Sequence, residues 1–185
     1  MALTSNQESV GTCSVIGLGK LGTSLAVSLA SRGFTVTGVD INPQTVAWFN
    51  GGRTALTELQ LGQLLVAHRA RLRATLQVDE AVTSSAVSFV IVPTPSEQDG
   101  SFSLRYVLAA MQAIGRSIAA EQTYHLVVLT STVLPGATLQ EILPKLQEAS
   151  GKVCARDVGL CYSPLFISLG PTVRDILQPD FVRIG

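Results

Sequence analysis

Charge is what this sequence has least of. Of its 185 residues, 13 are Lys or Arg and 13 are Asp or Glu, so the formal net charge is zero. Charged residues make up 14%, against about 25% in an average globular protein. Zero net charge excludes the basic footprint that a nucleic-acid binder needs. Long hydrophobic runs are also missing. No apolar stretch approaches the roughly 18 residues of a membrane span. The first ten residues, Met1 to Val10, are polar and hold no apolar h-region. A disordered lead-in over residues 1–11 is expected there rather than a signal peptide. Cysteine is scarce and odd in number. Cys13, Cys154 and Cys161 show no metal-ligand spacing, so no metal site is expected and they read as buried, reduced thiols of a cytoplasmic protein. What is abundant is apolar: 46% hydrophobic residues, which excludes disorder. The length suits one domain with its own core and a piece of a second. So much apolar content over so little charge suggests surface that belongs against another domain or subunit.

The pattern along the chain alternates strand and helix. Cys13–Ile16 reads as a short strand. Leu21, Leu25, Ala26, Leu29 and Ala30 then recur at helical spacing, and Gly33 ends that helix. Phe34–Val39 is the second strand. Asn42 is placed as the cap and Pro43 as the first turn of a helix reaching Asn50. A further helix is expected over Leu56–Arg69, a third strand over Leu72–Thr75 and a helical turn around Asp79–Val82. Val87–Val92 reads as a buried strand stopped by Pro93-Thr94-Pro95. A polar loop over Ser96–Ser101 follows, then a helix from Leu104 to about Ala120 with Ser103 as a candidate cap. Leu126–Leu129 and Val158–Tyr162 are the fifth and sixth strands, separated by a helix over Ala137–Ala149. Phe181–Gly185 reads as a strand that stops abruptly, which suggests a piece of a longer chain. The strands are continuously apolar rather than alternating, which implies burial on both faces. The expected fold is therefore α/β, a Rossmann-type doubly wound parallel sheet between helices. It would occupy residues 12–163, with residues 164–185 ending the domain and connecting toward a second domain that is absent.

One motif carries the chemistry. Gly17-Leu18-Gly19-Lys20-Leu21-Gly22 follows a strand and opens a helix, the context a dinucleotide-binding loop requires. Gly17 allows the tight turn. Gly19 leaves the backbone amides open to a pyrophosphate, and Gly22 lets helix and sheet approach. The helix N-terminus offers unpaired N–H groups and a partial positive charge to phosphates. Asp40 ends the next strand, eighteen residues after Gly22. A carboxylate there accepts hydrogen bonds from ribose hydroxyls and repels a 2′-phosphate, which favours NAD over NADP. In doubly wound sheets, ligands lie outside the carboxyl ends of the strands. Three such ends hold hydroxyl-bearing or proline-rich segments: Val92-Pro93-Thr94-Pro95, Ser131-Thr132-Val133 and Tyr162-Ser163-Pro164. They line a cofactor cleft or merely terminate strands. His68, beside Arg69, Arg71 and Arg73, reads as part of a solvated face, and His125 simply precedes a strand.

Together these residues resemble the N-terminal NAD-binding domain of the UDP-glucose/GDP-mannose dehydrogenase family, from about Cys13 to Gly185. The resemblance rests on Val15-Ile16-Gly17-Leu18-Gly19, Gly38-Val39-Asp40-Ile41-Asn42, Val92–Pro95, Asp99-Gly100-Ser101, Ser131–Val133 with Pro135-Gly136, and Ser163-Pro164 followed by Gly170. Its most specific part is the closing run Arg174-Asp175, Leu177, Pro179-Asp180, Val182 and Ile184-Gly185. It implies an enzyme that oxidises the C6 hydroxymethyl of a nucleotide sugar to a carboxylate. Two NAD are used in succession, through a thiohemiacetal and a thioester on a cysteine. It also implies a central domain that makes a homodimer. By resemblance, the loop from Gly17 to Gly22, Asp40, Val92–Ser96 and Ser131–Val133 contact NAD. Thr132 orders the catalytic water, and Phe166 and Ile167 close over the substrate.

The departures matter as much. Leu165 and Leu169 stand where the family has glutamates, Thr45 where it has a basic residue and Lys20 where it has a tyrosine. The family's nucleophilic cysteine lies in later domains, and none of the three cysteines here matches its motif. Two further readings stay open. One is a catalytically reduced NAD-binding sensor or scaffold. The other is the cofactor domain of a β-hydroxyacid dehydrogenase relative, which shares the Gly-Leu-Gly loop.

Overall fold

The structure, a computed structural model, describes residues 11–56, 58–98, 100–167 and 172–185. Thr57, Asp99, Leu169 and Gly170 therefore lie outside the described residues, as does nearly all of the expected lead-in. Six strands alternate with helices: β1 (Thr12–Ile16), β2 (Thr35–Val39), β3 (Leu72–Thr75), β4 (Val87–Val90), β5 (His125–Leu129) and β6 (Val158–Tyr162). All neighbours are parallel, in the order β3-β2-β1-β4-β5-β6. The chain runs outward from β1 in one direction and then returns to build outward in the other. The order reverses between β1 and β4, which opens a crevice at their carboxyl ends.

Helices cover both faces, as doubly buried strands require. One core joins β-strand residues Ile16, Val90, Val127 and Leu129 to α4 (Val78–Thr83), α5 (Arg105–Ile118) and α6 (Leu143–Ser150). The other joins Val15 and Val36 to α1 (Lys20–Ser31), α2 (Pro43–Asn50), α3 (Leu59–Ala67) and α7 (Thr172–Leu177). Val173 of α7 is fully buried in this second core. Glu58 Oε1 accepts from the Val173 N–H at 2.8 Å, and Arg32 Nη2 donates to the Leu177 carbonyl at 3.2 Å. The chain beyond β6 thus crosses back to the first half of the fold and is held there at both ends of α7.

Several boundaries differ from the sequence reading, each for a local reason. Asn42 does cap α2, accepting from the Gln44 N–H at 2.9 Å, with Pro43 in the first turn. Ser103 does not cap α5. Leu104 holds that position, without a side-chain cap, because the Ser103 N–H turns back to the Pro95 carbonyl at 2.8 Å. The helix expected over Leu56–Arg69 shortens to α3. Thr54 Oγ1 takes the Leu56 N–H at its start, and Arg69–Arg71 tighten into a 3₁₀ turn at its end. β4 ends at Val90 rather than Val92. The helix expected over Ala137–Ala149 opens with a π turn, Thr138–Ile142, ahead of α6. Pro144 lacks the N–H that would continue the α ladder, and its ring crowds the carbonyl four residues back. Phe181–Gly185 forms no strand. Its last residue nonetheless exchanges two backbone hydrogen bonds with Tyr162, at 2.7 and 3.0 Å. Of the cysteines, Cys13 is buried, whereas Cys154 and Cys161 are half-buried.

Candidate functional site

The glycine loop sits at the reversal between β1 and β4. Gly17 has φ +102, a conformation that a side chain strains, and a Cβ there would strike the Ile91 carbonyl oxygen. A Cβ on Gly22 would strike the Gly17 carbonyl. These two glycines are required by the fold itself. Gly19 differs: its φ is −64, and a Cβ there would meet no atom within 4 Å. Its open side faces away from protein, which leaves the adjoining backbone amides approachable. Gly19 is the N-cap of α1, no side chain caps that end, and no acidic residue lies in the first turn. The first N–H groups of a helix have no partner within it, so this end is an uncompensated anion cradle. Thr23 supports the loop from below, its Oγ1 donating to the Leu18 carbonyl at 2.8 Å.

Asp40 lies directly after β2 and is half-buried. Its Oδ2 accepts from the Leu18 N–H and its Oδ1 from the Asn42 N–H, both at 2.9 Å. The carboxylate is thereby aimed and locked to the glycine loop. A carboxylate has about four lone-pair sites, so acceptor capacity remains on both oxygens for hydroxyl groups. Leu18 contributes through its backbone. Its side chain is buried against Gly38, where a Cβ would approach Leu18 Cδ2 to 2.6 Å. Leu21 is half-buried and Lys20 is exposed.

The other side of the crevice is tied together by Ser131. Its hydroxyl takes the Val92 N–H at 2.8 Å and donates to the Val92 carbonyl, also at 2.8 Å. The N–H groups of Thr130 and Ser131 both reach the Val90 carbonyl, and the Ser163 N–H reaches that of Leu129. The segments after β4, β5 and β6 are thus registered on one another, and Val92 Cγ1 stands 3.5 Å from the Gly17 Cβ position. Ser131 itself is buried and satisfied by Val92, whereas Thr132, Pro93 and Pro95 are exposed and Thr94 and Val133 half-exposed. Phe166 is exposed beside β6, its ring 4.5 Å from that of Phe181, and Ile167 next to it is half-buried. The structure gathers the loop from Gly17 to Gly22, Asp40, Val92 and Ser131 at one crevice.

Sequence reasoning missed two supports. One is Asn50, whose side chain accepts from the Ala74 N–H at 2.7 Å and donates to the Ala74 carbonyl at 2.9 Å, pinning β3. The other is a buried polar row beneath the sheet. Ser14 and Ser88 lie opposite each other on β1 and β4 with hydroxyls 2.7 Å apart, and Ser88 Oγ lies 2.8 Å from His125 Nε2. Serine in an otherwise apolar strand was the available signal for the row. Asn50 gave none.

A polar hollow of about 280 Å³ lies elsewhere, lined by Glu121, Tyr124, Lys152, Arg156 and Asp157 ahead of β5 and β6. Its polar groups are largely engaged with one another. Lys152 Nζ donates to the Glu121 carbonyl at 2.6 Å, and Arg156 pairs with Asp157, whose carboxyl that guanidinium holds down at about 2. The crevice, not this hollow, has the chemistry of a site. Among the described residues, no group of His, Cys, Asp and Glu is placed to hold a metal ion, and no helix is long and apolar enough to cross a membrane.

A sheet in this order, with a glycine loop at its reversal and a carboxylate after the second strand, defines a Rossmann-type dinucleotide-binding domain. The model of the UDP-glucose/GDP-mannose dehydrogenase family, NAD binding domain, matches residues 11–185. The chain belongs to that family and is its NAD-binding domain. It is 38% identical over 173 residues to the UDP-glucose 6-dehydrogenase AglM of Haloferax volcanii, covering 93% of this chain and 40% of the relative. It is 35% identical to the GDP-mannose 6-dehydrogenase of Azotobacter vinelandii, at the same coverage. Among solved structures, a ternary complex of Pseudomonas aeruginosa GDP-mannose dehydrogenase superposes with a TM-score of 0.91 at 34% identity, over 94% of this chain and 40% of that one. A UDP-glucose dehydrogenase from Pyrobaculum islandicum gives 0.90 at 35%, over 100% and 42%. The chain therefore spans about 40% of the length of the relatives it matches.

Proposed function

We propose that this chain is the cofactor-holding domain of a nucleotide-sugar 6-dehydrogenase. The whole protein would oxidise the C6 hydroxymethyl of a UDP- or GDP-sugar to the uronate with two NAD. The observation that carries the reading is the locked pair of Asp40 and the Leu18 N–H beside the open face at Gly19. Bound NAD supplies a hydride acceptor. The chain's own residues do the rest. The first-turn N–H groups of α1, reached across Gly19, hold the pyrophosphate. Asp40 accepts from the adenosine ribose hydroxyls and repels a 2′-phosphate. Val92, Pro93, Thr94 and Pro95 on one strand end, and Ser131, Thr132 and Val133 on the next, line the cleft. Ser131 does so as a brace, and the exposed Thr132 hydroxyl is the group free to order water. Phe166 and Ile167 stand where the substrate segment closes.

Residues 12–163 form the bulk of the cofactor unit in this reading, and 164–185, with α7 packed back into its core, end that domain and lead toward a central domain that dimerises the protein. The nucleophilic cysteine comes from that later sequence. Burial pushes the Cys13 thiol up to about 12, which suits a packed core residue and not a nucleophile. A second reading, a module that binds NAD without oxidising, is favoured by Leu165. This half-buried side chain carries no proton, where the family has a glutamate.

Titration calorimetry on this chain tests the cofactor site. NAD is expected to bind more tightly than NADP, and Asp40→Ala to weaken NAD by about tenfold or more, as loss of charge-assisted hydrogen bonds does. Absence of binding at millimolar NAD would overturn the assignment. The sequence downstream of Gly185 separates the two readings. A cysteine followed by Pro-Lys in a glycine-rich context supports the enzyme.

A further inference from the structure

The polar row on β1, β4 and β5 lies outside the cofactor site. Ser14 and Ser88 are fully buried and His125 nearly so, while Ser85, in the turn between α4 and β4, is half-buried. Ser85 Oγ lies 3.2 Å from Ser14 Oγ, Ser14 Oγ 2.7 Å from Ser88 Oγ, and Ser88 Oγ 2.8 Å from His125 Nε2. The backbone of Ser85 also engages the His125 ring. A backbone carbonyl only accepts, and Nε2 is taken by Ser88, so Nδ1 carries the proton of the neutral ring. The directions along the row follow, because each hydroxyl has one proton to give. Nε2 accepts from Ser88, Ser88 from Ser14, and Ser14 from Ser85.

Ser85 has a second acceptor. Its Oγ lies 3.2 Å from the Val82 carbonyl, near the end of α4. That carbonyl makes the row reversible. In a cationic ring both nitrogens donate. Nε2 then donates to Ser88, Ser88 to Ser14, Ser14 to Ser85, and Ser85 to Val82. Every donor keeps an acceptor in both states, as a buried network requires.

We propose that the row is a proton relay and a two-state switch: a proton enters at Ser85, each hydroxyl hands its own proton to the next, and the last arrives on His125 Nε2. One proton is taken up, the three hydroxyls stay neutral, and three hydrogen bonds invert their direction. The inversion runs along the seam of β1 and β4, from which the glycine loop emerges three residues beyond Ser14. Glu121, just beyond α5, favours the cation, and burial opposes it more strongly. The other charged groups at this end of the sheet are engaged or turned outward. Lys152 donates to the Glu121 carbonyl, Arg156 pairs with Asp157, and Arg116 of α5 is exposed. Asp79 and Glu80 of α4 lie in its first turn, at the end away from Ser85. The neutral direction therefore holds above about pH 6.5, and the row inverts as pH falls from there through the lower folded value.

NMR of the ring nitrogens in this chain tests the relay, with His68→Gln to assign the only other histidine. At pH 8 the His125 ring should carry its proton on Nδ1. Ser85→Ala leaves both ring partners in place and removes only the far end of the row. The inverted state then has a buried donor without an acceptor. His125 should bind its proton about threefold or more weakly, read as a lower titration midpoint. Ser85→Thr, which keeps the hydroxyl, should restore it. The melting midpoint of Ser85→Ala should change by about 2 °C or less at pH 8 and fall further behind the unmodified chain at pH 5. An Nε2–H ring at pH 8 overturns the relay. So does an unchanged titration midpoint in Ser85→Ala, a loss of stability equal at both pH values, or a ring that stays neutral until the chain unfolds in acid.

Discussion

Gly17, Gly19 and Gly22 look alike in the motif and are not alike in the structure. At Gly17, φ +102 and the nearby Ile91 carbonyl both forbid a side chain; at Gly22 the Gly17 carbonyl does. Gly17→Ala is expected to destabilise the unliganded chain by about 3 kcal/mol or more, combining backbone strain with overpacking. That lowers the melting midpoint by roughly 6–12 °C in a chain of this size. Gly19→Ala should melt like the unmodified chain, because its Cβ meets nothing within 4 Å. It should nevertheless lose NAD affinity, because that empty space is where the ligand comes. Thermal scans with and without NAD separate the two effects. A Gly19→Ala chain that unfolds early, or binds normally, would contradict this division of roles. The motif made all three positions legible, but not which glycine serves the fold and which serves the ligand. That distinction depends on Ile91, which is remote in sequence.

Between elements, the close contact of α5 and α6 turns on Gly115. A Cβ there would come 2.6 Å from Ala149 Cβ and 3.0 Å from the Leu146 carbonyl. Gly115→Val is expected to cost about 1–3 kcal/mol by overpacking, read as a lower denaturation midpoint with NAD affinity unchanged. The polar row of Ser14, Ser88 and His125 links β1, β4 and β5 in the same layer of the fold. Burial lowers the His125 pKa, opposed by the Ser85 backbone and by Glu121. A histidine depressed on folding binds fewer protons folded than unfolded. Its contribution is therefore complete above about pH 6.5 and is lost as pH falls from there toward the lower folded value. The melting midpoint should fall between pH 7 and pH 5, and His125→Gln should flatten that slope. An unchanged slope in the variant would show that other groups set it. The strands and most helices were legible because apolar runs and glycine or proline breaks are local signals. The π turn before α6, the early end of β4 and the tail that forms no strand were not. They depend on Pro144, on Ser131 reaching across to Val92, and on which segment lies beside Tyr162.

At the scale of the molecule, the charge-poor composition follows from the architecture. A six-stranded parallel sheet is buried on both faces, which consumes apolar residues without exposing them. Phe166, Phe181, Val182 and Ile184 remain exposed near the end of β6, and the chain covers only about 40% of its relatives. The relatives thus contain more than half their length beyond what this chain matches. The sequence showed the cofactor half of the proposed chemistry, because phosphate binding is written in a short contiguous loop. It left the sugar unspecified, because no short contiguous motif in these residues points to one. The expected behaviour is binding without turnover. This chain should take up NAD, yet produce no NADH absorbance at 340 nm when UDP-glucose or GDP-mannose is added. The crevice supplies a place for the hydride acceptor, but Cys13 is buried with its thiol held near 12 and burial also raises Cys161. Neither thiol suits the covalent adduct proposed for the oxidation. Sugar-dependent NADH formation by this chain, abolished by Asp40→Ala, would show instead that the crevice and the residues around it suffice for the reaction.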